Sequence, residues 1–149
     1  DDLYLAQRGF RSMAVRLRQH QANAMLIAEW LQSRPEVRQV LYPALPGAPG
    51  HEIWKRDFHG ASGLFAFELQ PFSEKAIEAM LDGMRLFGMG YSWGGYESLL
   101  IPANVRKIRT AVPWRFKGPL LRIHIGLEDV EDLKDDLKHG LERLQYLHG

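Results

Sequence analysis

Apolar positions along this chain fall into two periodicities, one helical and one extended. Across residues 11–34, "RSMAVRLRQHQANAMLIAEWLQSR", Met13, Leu17, Ala24, Ile27 and Leu31 recur at steps that keep them on one face of a helix. Pro35 stops that helix, because the residue before a proline is pushed out of the α region. Gly9 is expected to break or bend the chain just ahead of it. Residues 37–43, "VRQVLYP", read as a short strand, and the proline- and glycine-dense "PALPGAPGH" that follows reads as a loop. Within residues 61–69, "ASGLFAFEL", Leu64 and Ala66 share one face of a strand while Phe65, Phe67 and Leu69 share the other. Ser73 suits the N-cap of a helix carrying Ile77, Met80, Leu81 and Met84. Residues 120–127, "LLRIHIGL", form a further strand. The closing stretch, residues 128–149, is a helix with Val130, Leu133, Leu137, Leu141 and Leu144 on one face. Its acids come early and Lys138, His139 and Arg143 come later, as the helix dipole favours.

The order is thus helix, strand, strand, helix, strand or turn, strand, helix. It predicts an α+β domain in two layers, with helices on one side of a small, mainly antiparallel sheet. Residues 103–118 carry no firm periodicity and are expected to form a loop near the mouth of any site.

Composition narrows the functional classes. A chain of 149 residues suits one domain with a working core, and a net charge of +1 gives no global attraction to nucleic acid or an anionic membrane. Arg8, Arg11, Arg16 and Arg18 cluster locally, but Phe10 is the one aromatic residue among them, so a solvated helix face or a subunit contact is the better expectation. The absence of cysteine removes disulfides, thiolate metal sites and a cysteine nucleophile, and suits a cytoplasmic protein. No apolar run approaches a membrane span, and the six histidines lack metal-ligand spacing. The chain begins without methionine, in the middle of helical sequence, so it is expected to be part of something longer.

One stretch resists both periodicities. Residues 88–100, "GMGYSWGGYESLL", pack four glycines, two tyrosines, a tryptophan and two serines into thirteen positions. Glycines serve where backbone must turn sharply or approach a ligand, and neighbouring aromatics can line a pocket. The familiar glycine motifs do not apply. The third glycine of G-x-G-x-x-G would fall at Trp93, and G-x-S-x-G lacks its strand–elbow–helix setting, which leaves Ser92 a hydroxyl donor and turn residue rather than a nucleophile. "HEIWK" begins like a zinc-protease helix but carries Lys55 where the second histidine would stand.

Arg122 is the other anomaly. In a strand it shares a face with Leu120 and His124, while Leu121, Ile123 and Ile125 face the helices. A cation in so apolar a strand requires an anionic partner, and a guanidinium holds two carboxylate oxygens in one plane. That partner is either a protein carboxylate or a ligand's.

Two motifs in this order, "LFGMGYSWGGYESLL" and "LLRIHIGLEDVEDLKDDL", resemble the C-terminal end of the Cys/Met-metabolism family of pyridoxal-phosphate (PLP) enzymes. The family pattern is S-x-G-G-x-E-S, here Ser92 to Ser98, then R-[IVL]-[SH]-[IV]-G-[LI]-E, here Arg122 to Glu128. The likeness extends through "RGFRSMAVRLRQHQANA" and "YPALPGAPGHEIWKRDFHGASGLFAFEL" to essentially the whole chain. It implies the small C-terminal domain of fold type I PLP enzymes, with residues 1–34 as the helical segment joining it to a large PLP-binding domain outside this chain.

The resemblance also implies roles for residues. Arg122 matches the family's binder of the substrate α-carboxylate. Ser92 and Trp93 match the turn beside cofactor and carboxylate, and Tyr91 the adjoining wall. Gly94 and Gly95 match backbone passing close to the cofactor, while Glu97 and Ser98 support the turn. Trp93 stands where γ-eliminating members usually carry leucine, which implies a β-eliminating carbon–sulfur lyase with L-cystathionine as expected substrate, serving methionine biosynthesis and transsulfuration. Pyridoxal 5'-phosphate is the implied cofactor and a homotetramer the implied assembly. The lysine that holds the cofactor, in a Ser/Thr-x-Thr-Lys context, is not among Lys55, Lys75, Lys107, Lys117, Lys134 and Lys138, so this chain alone is expected to be inactive. The alternatives are a cysteine or cystine lyase, a γ-family enzyme, or a non-catalytic module that binds a small ligand.

Overall fold

A computed structural model describes residues 1–106, 108–113 and 115–146. Helix α1 runs Asp2–Gln32, then come strand β1 Val37–Leu41, helix α2 His51–Asp57, strand β2 Leu64–Leu69 and helix α3 Glu74–Asp82. Strands β3 Leu99–Pro102 and β4 Leu120–His124 follow, and helix α4 Val130–Tyr146 closes the chain. The four strands form one sheet in the order β1-β2-β4-β3, every neighbour antiparallel. The α+β two-layer expectation holds.

Register decides which side chains share a face. Phe65 of β2 and Leu100 of β3 both pair with Ile123 of β4, and Phe67 pairs with Leu121. These residues are buried in one core with Ala24, Ile27 and Leu31 of α1, Met80 of α3, and Leu133, Leu137 and Leu141 of α4. Helix α3 packs on α4, and α1 on β1 and α4. On the opposite face, Ala66 and Ile101 flank Arg122 in register, and Leu64 and Leu99 flank His124. The alternation read from the sequence for β2 and β4 is the observed one.

Local signals account for several boundaries. Ser73 caps α3, its hydroxyl accepting from the Ala76 N–H at 3.3 Å. Helix α1 ends at Gln32, three residues before Pro35. Buried Glu68 in β2 accepts from the Lys117 and Gly118 amides at 2.7 and 2.8 Å, so one carboxylate organises the segment that leads into β4.

Three expectations need correction. Gly9 does not break the chain: α1 runs through it from Asp2 to Gln32, because one glycine costs a helix only about 1 kcal/mol. Met13 and Leu17, assigned to the buried face, are each 40% exposed, since burial on α1 begins at His20. All residues of α1 before His20 are exposed or half-buried. Helix α2 starts at His51, the last residue of the stretch read as loop, and runs through residues to which the sequence assigned no element; with Gly50 ahead of it at φ 84° and no buried residue, it carries no apolar stripe to announce it. The described residues of 103–118 form no helix or strand between the end of β3 at Pro102 and the start of β4 at Leu120; Lys107 and Trp114 lie outside the described residues, as do residues 147–149 of the expected last helix.

Candidate functional site

The glycine-rich stretch is a loop closed on itself and tied down by side chains of β4. At its base the Gly88 N–H donates to the Ser98 carbonyl at 3.1 Å, and the Leu100 N–H to the Gly88 carbonyl at 2.9 Å. Its approach is fixed from α4. Buried Asp136 accepts from the backbone N–H groups of Arg85, Leu86 and Phe87 at 2.7–3.3 Å. A single buried carboxylate so satisfies three amides that lie outside any helix or strand, which a neutral acceptor would do less strongly.

Across the loop stands Arg122. Its Nη2 donates to the carbonyls of Gly90 at 3.1 Å and Tyr91 at 2.9 Å. None of the ion pairs among the described residues includes it, and its Nε and Nη1 hydrogen-bond to none of those residues. Of the two partners open at the sequence level, a carboxylate of this chain is therefore not realised among the described residues. The loop carbonyls orient the guanidinium by one nitrogen and leave its other donors available to a planar anion.

The remaining candidates lie on the same loop. Tyr91 is 86% exposed and Trp93 58%, and Ser92 between them is exposed too. Gly94 has φ +88°, a conformation that L side chains rarely adopt, so glycine is required there. The structure thus brings Tyr91, Ser92, Trp93, Gly94 and Gly95 to one loop and Arg122 beneath it. A cavity of ≈ 750 Å³ lies elsewhere, between α1, Tyr42, Trp54 and Phe58.

Sequence reasoning passed over three residues. His124, 2% exposed, lies two positions after Arg122 on the same face, with Nε2 3.2 Å from the Gly94 nitrogen and 3.1 Å from the Gly95 carbonyl. Burial pushes its pKa below the ordinary histidine value; the Gly95 carbonyl opposes that, His20 adds to it, Glu128 opposes it and Arg122 adds to it. The strand alternation already placed His124 beside Arg122, so its signal was present. Glu128 accepts from the Ser98 N–H and from the Ser98 hydroxyl, both at 2.8 Å, while that hydroxyl accepts from the Gly126 N–H. This joins the two sequence motifs directly: Ser98 closes one, Glu128 the other. The support expected from Ser98 is real, though its partner is 30 residues away rather than local. His20 of α1 receives no sequence signal, because its partner, the Ile125 carbonyl at 2.7 Å, lies 105 residues on.

A cofactor of the PLP type fits these residues only in part. The loop and Arg122 offer backbone and a cationic fork, which suit a carboxylate. No lysine belongs to the loop or to β4, so covalent attachment is not provided by those elements.

Fold and site together define a small α+β domain that displays an arginine with unspent donors under a glycine-rich aromatic loop. The family of Cys/Met metabolism PLP-dependent enzymes matches residues 1–142, and the chain belongs to it. It is 51% identical over 148 residues to cystathionine beta-lyase of Salmonella typhimurium and 49% identical to cystathionine beta-lyase MetC of Escherichia coli. Each match covers 97% of this chain and 38% of the relative. Among solved structures, cystathionine gamma synthase from Xanthomonas oryzae pv. oryzae in complex with cystathionine superposes with a TM-score of 0.80 at 39% identity, over 93% of this chain and 37% of that one. The chain therefore spans somewhat over a third of the length of the proteins it resembles.

Proposed function

We propose that this chain is the C-terminal small domain of a PLP-dependent carbon–sulfur β-lyase that cleaves L-cystathionine to homocysteine, pyruvate and ammonia, and that Arg122 holds the substrate α-carboxylate. The observation that carries the site is the guanidinium itself: oriented by two loop carbonyls, free of any carboxylate among the described residues, and open on its remaining nitrogens. Bound pyridoxal phosphate would supply the electron sink that lets the Cα–H bond ionise. Arg122 fixes the carboxylate and so sets the direction in which that bond points, a positioning effect of several kcal/mol. Ser92 offers a hydroxyl beside the carboxylate, Tyr91 and Trp93 wall the substrate side chain, and Gly94 and Gly95 let backbone pass close to the cofactor. Residues 1–34 join this domain to the large domain that carries the cofactor's lysine and phosphate contacts, in a cytoplasmic homotetramer. The roughly 50% identity to proteins named cystathionine beta-lyase supports the β-lyase over the γ-enzymes, and so does Trp93.

The test is to supply the full-length protein with pyridoxal phosphate and L-cystathionine and to assay pyruvate against 2-oxobutyrate. Pyruvate with homocysteine is expected. Release of 2-oxobutyrate would mean γ-elimination. No turnover of any sulfur amino acid, together with amino-acid binding that Arg122→Ala abolishes, would instead mean a binding module.

A further inference from the structure

Ser98 commits all of its polar groups to the neck of the glycine-rich loop. It is buried, and its carbonyl accepts from the Gly88 N–H at 3.1 Å across that neck. Its N–H donates to Oε1 of Glu128 and its hydroxyl to Oε2, each at 2.8 Å, while the hydroxyl oxygen accepts from the Gly126 N–H at 2.8 Å. Beside these, the Leu127 N–H donates to the Tyr96 carbonyl at 2.8 Å. The chain just after β4 thus holds the returning leg of the loop, and one carboxylate takes both Ser98 donors. Few side chains meet that demand: glutamine turns one of the two acceptors into a donor, and aspartate is a methylene shorter.

The neck adjoins the groups that orient Arg122. Gly90 lies two residues beyond Gly88 and packs against Leu99, the residue after Ser98; a Cβ on Gly90 would stand 3.4 Å from Leu99 Cδ2. The Gly90 and Tyr91 carbonyls in turn accept from Arg122 Nη2 at 3.1 and 2.9 Å. A displacement of Ser98 therefore passes to Gly88 through a hydrogen bond and to Gly90 through packing. Both routes lead to the carbonyls that hold the guanidinium.

We propose that Glu128 is a positioning residue for the carboxylate site: by holding Ser98 it fixes the neck of the loop, and so the carbonyls that aim Arg122. This rests on the role given to Arg122 above. Both Glu128 oxygens are engaged by Ser98, and none of the ion pairs among the described residues joins Glu128 to Arg122, so its effect travels through the loop. Asp136 at residues 85–87 and His124 at Gly94 and Gly95 tether the same loop independently, so loss of Glu128 shifts the loop without releasing it.

The experiment is a double-substitution cycle in the full-length protein loaded with pyridoxal phosphate. Glu128→Ala is expected to raise KM for L-cystathionine about five-fold while kcat falls by less than about two-fold, and Glu128→Gln, which keeps one acceptor, to recover part of the loss. In an Arg122→Lys background, Glu128→Ala is expected to change KM by less than about two-fold, because the fork it aims is already gone. An equal rise in KM in both backgrounds would make Glu128 a structural support only and overturn the proposal. Should Glu128→Ala fail to fold, Glu128→Gln takes its place in the cycle and is judged by the same comparison. Hydrogen exchange reads the latch with no ligand present: the Ser98 amide is expected to exchange about ten-fold faster in Glu128→Ala, and an unchanged rate would sink the proposal. Absence of turnover by the unsubstituted protein would defeat the reaction proposed above and, with it, the consequence for KM, whereas unchanged Ser98 exchange would defeat the latch alone.

Discussion

Arg122 differs from a structural arginine in what it leaves unused. Two carbonyls consume one nitrogen, and the remaining donors form a planar fork that lysine cannot copy. Arg122→Lys in the full-length protein should lower kcat/KM by roughly 10²-fold, mostly through KM, while stability changes by less than about 1 kcal/mol because no buried ion pair is broken. Steady-state kinetics and a denaturant melt would separate the two effects. Gly126 is constrained for a different reason. A Cβ there would collide with the Tyr96 carbonyl and with Glu128, at the point where the two motifs join. Gly126→Ala should therefore destabilise by about 1–3 kcal/mol through overpacking, read as a shift in the denaturation midpoint.

Elements place these residues, and each placement has an identifiable cause. Strand β4 is the hub: it pairs with both β2 and β3, turns Leu121 and Ile123 into the core, and turns Arg122 and His124 to the loop. Helix α4 holds the start of the loop through Asp136, with three backbone amides on one carboxylate. Asp136→Ala leaves those amides without their acceptor and should cost about 2–3 kcal/mol, with the loss concentrated in faster hydrogen exchange at residues 85–87. Uniform exchange across the chain in that variant would mean that Asp136 is not a local anchor.

At the scale of the molecule, two properties follow. The first half of α1 leaves Leu3, Tyr4 and Phe10 largely exposed and Met13 and Leu17 partly so. The glycine-rich loop and β4 likewise contain no lysine. The isolated 149-residue chain given pyridoxal phosphate should accordingly show no β-lyase turnover, and measurable pyruvate from it would refute the assignment of the missing groups to another part of the protein. The second property is a pH response. The folded state holds the His124 pKa below its ordinary value, so near neutrality the unfolded chain binds more protons than the folded one. The stability this contributes is complete above the unfolded histidine value of about 6.5 and is lost as pH falls below it towards the folded value. His124→Gln should flatten the stability curve in that window, measured by denaturant melts at a series of pH values.

The amino-acid sequence by itself determined the elements whose signals are local. The alternation of residues 64–69 and 120–125, the Ser73 cap and the leucine stripe of α4 each depend on spacing alone, and all survive in the fold. Arg122 was legible for the same reason, since a lone cation in an apolar strand violates a rule that neighbours cannot hide. Helix α2 and strand β3 were not, because one buries no residue and the other is four residues long beside a glycine-rich loop. Tertiary structure alone decided the partners: Ser98 with Glu128, Asp136 with the amides at 85–87, and His20 with the backbone after β4. These pairs lie 30 to 105 residues apart. Hydrogen bonds over such separations are set by how the sheet and helices stack, and no local periodicity encodes them.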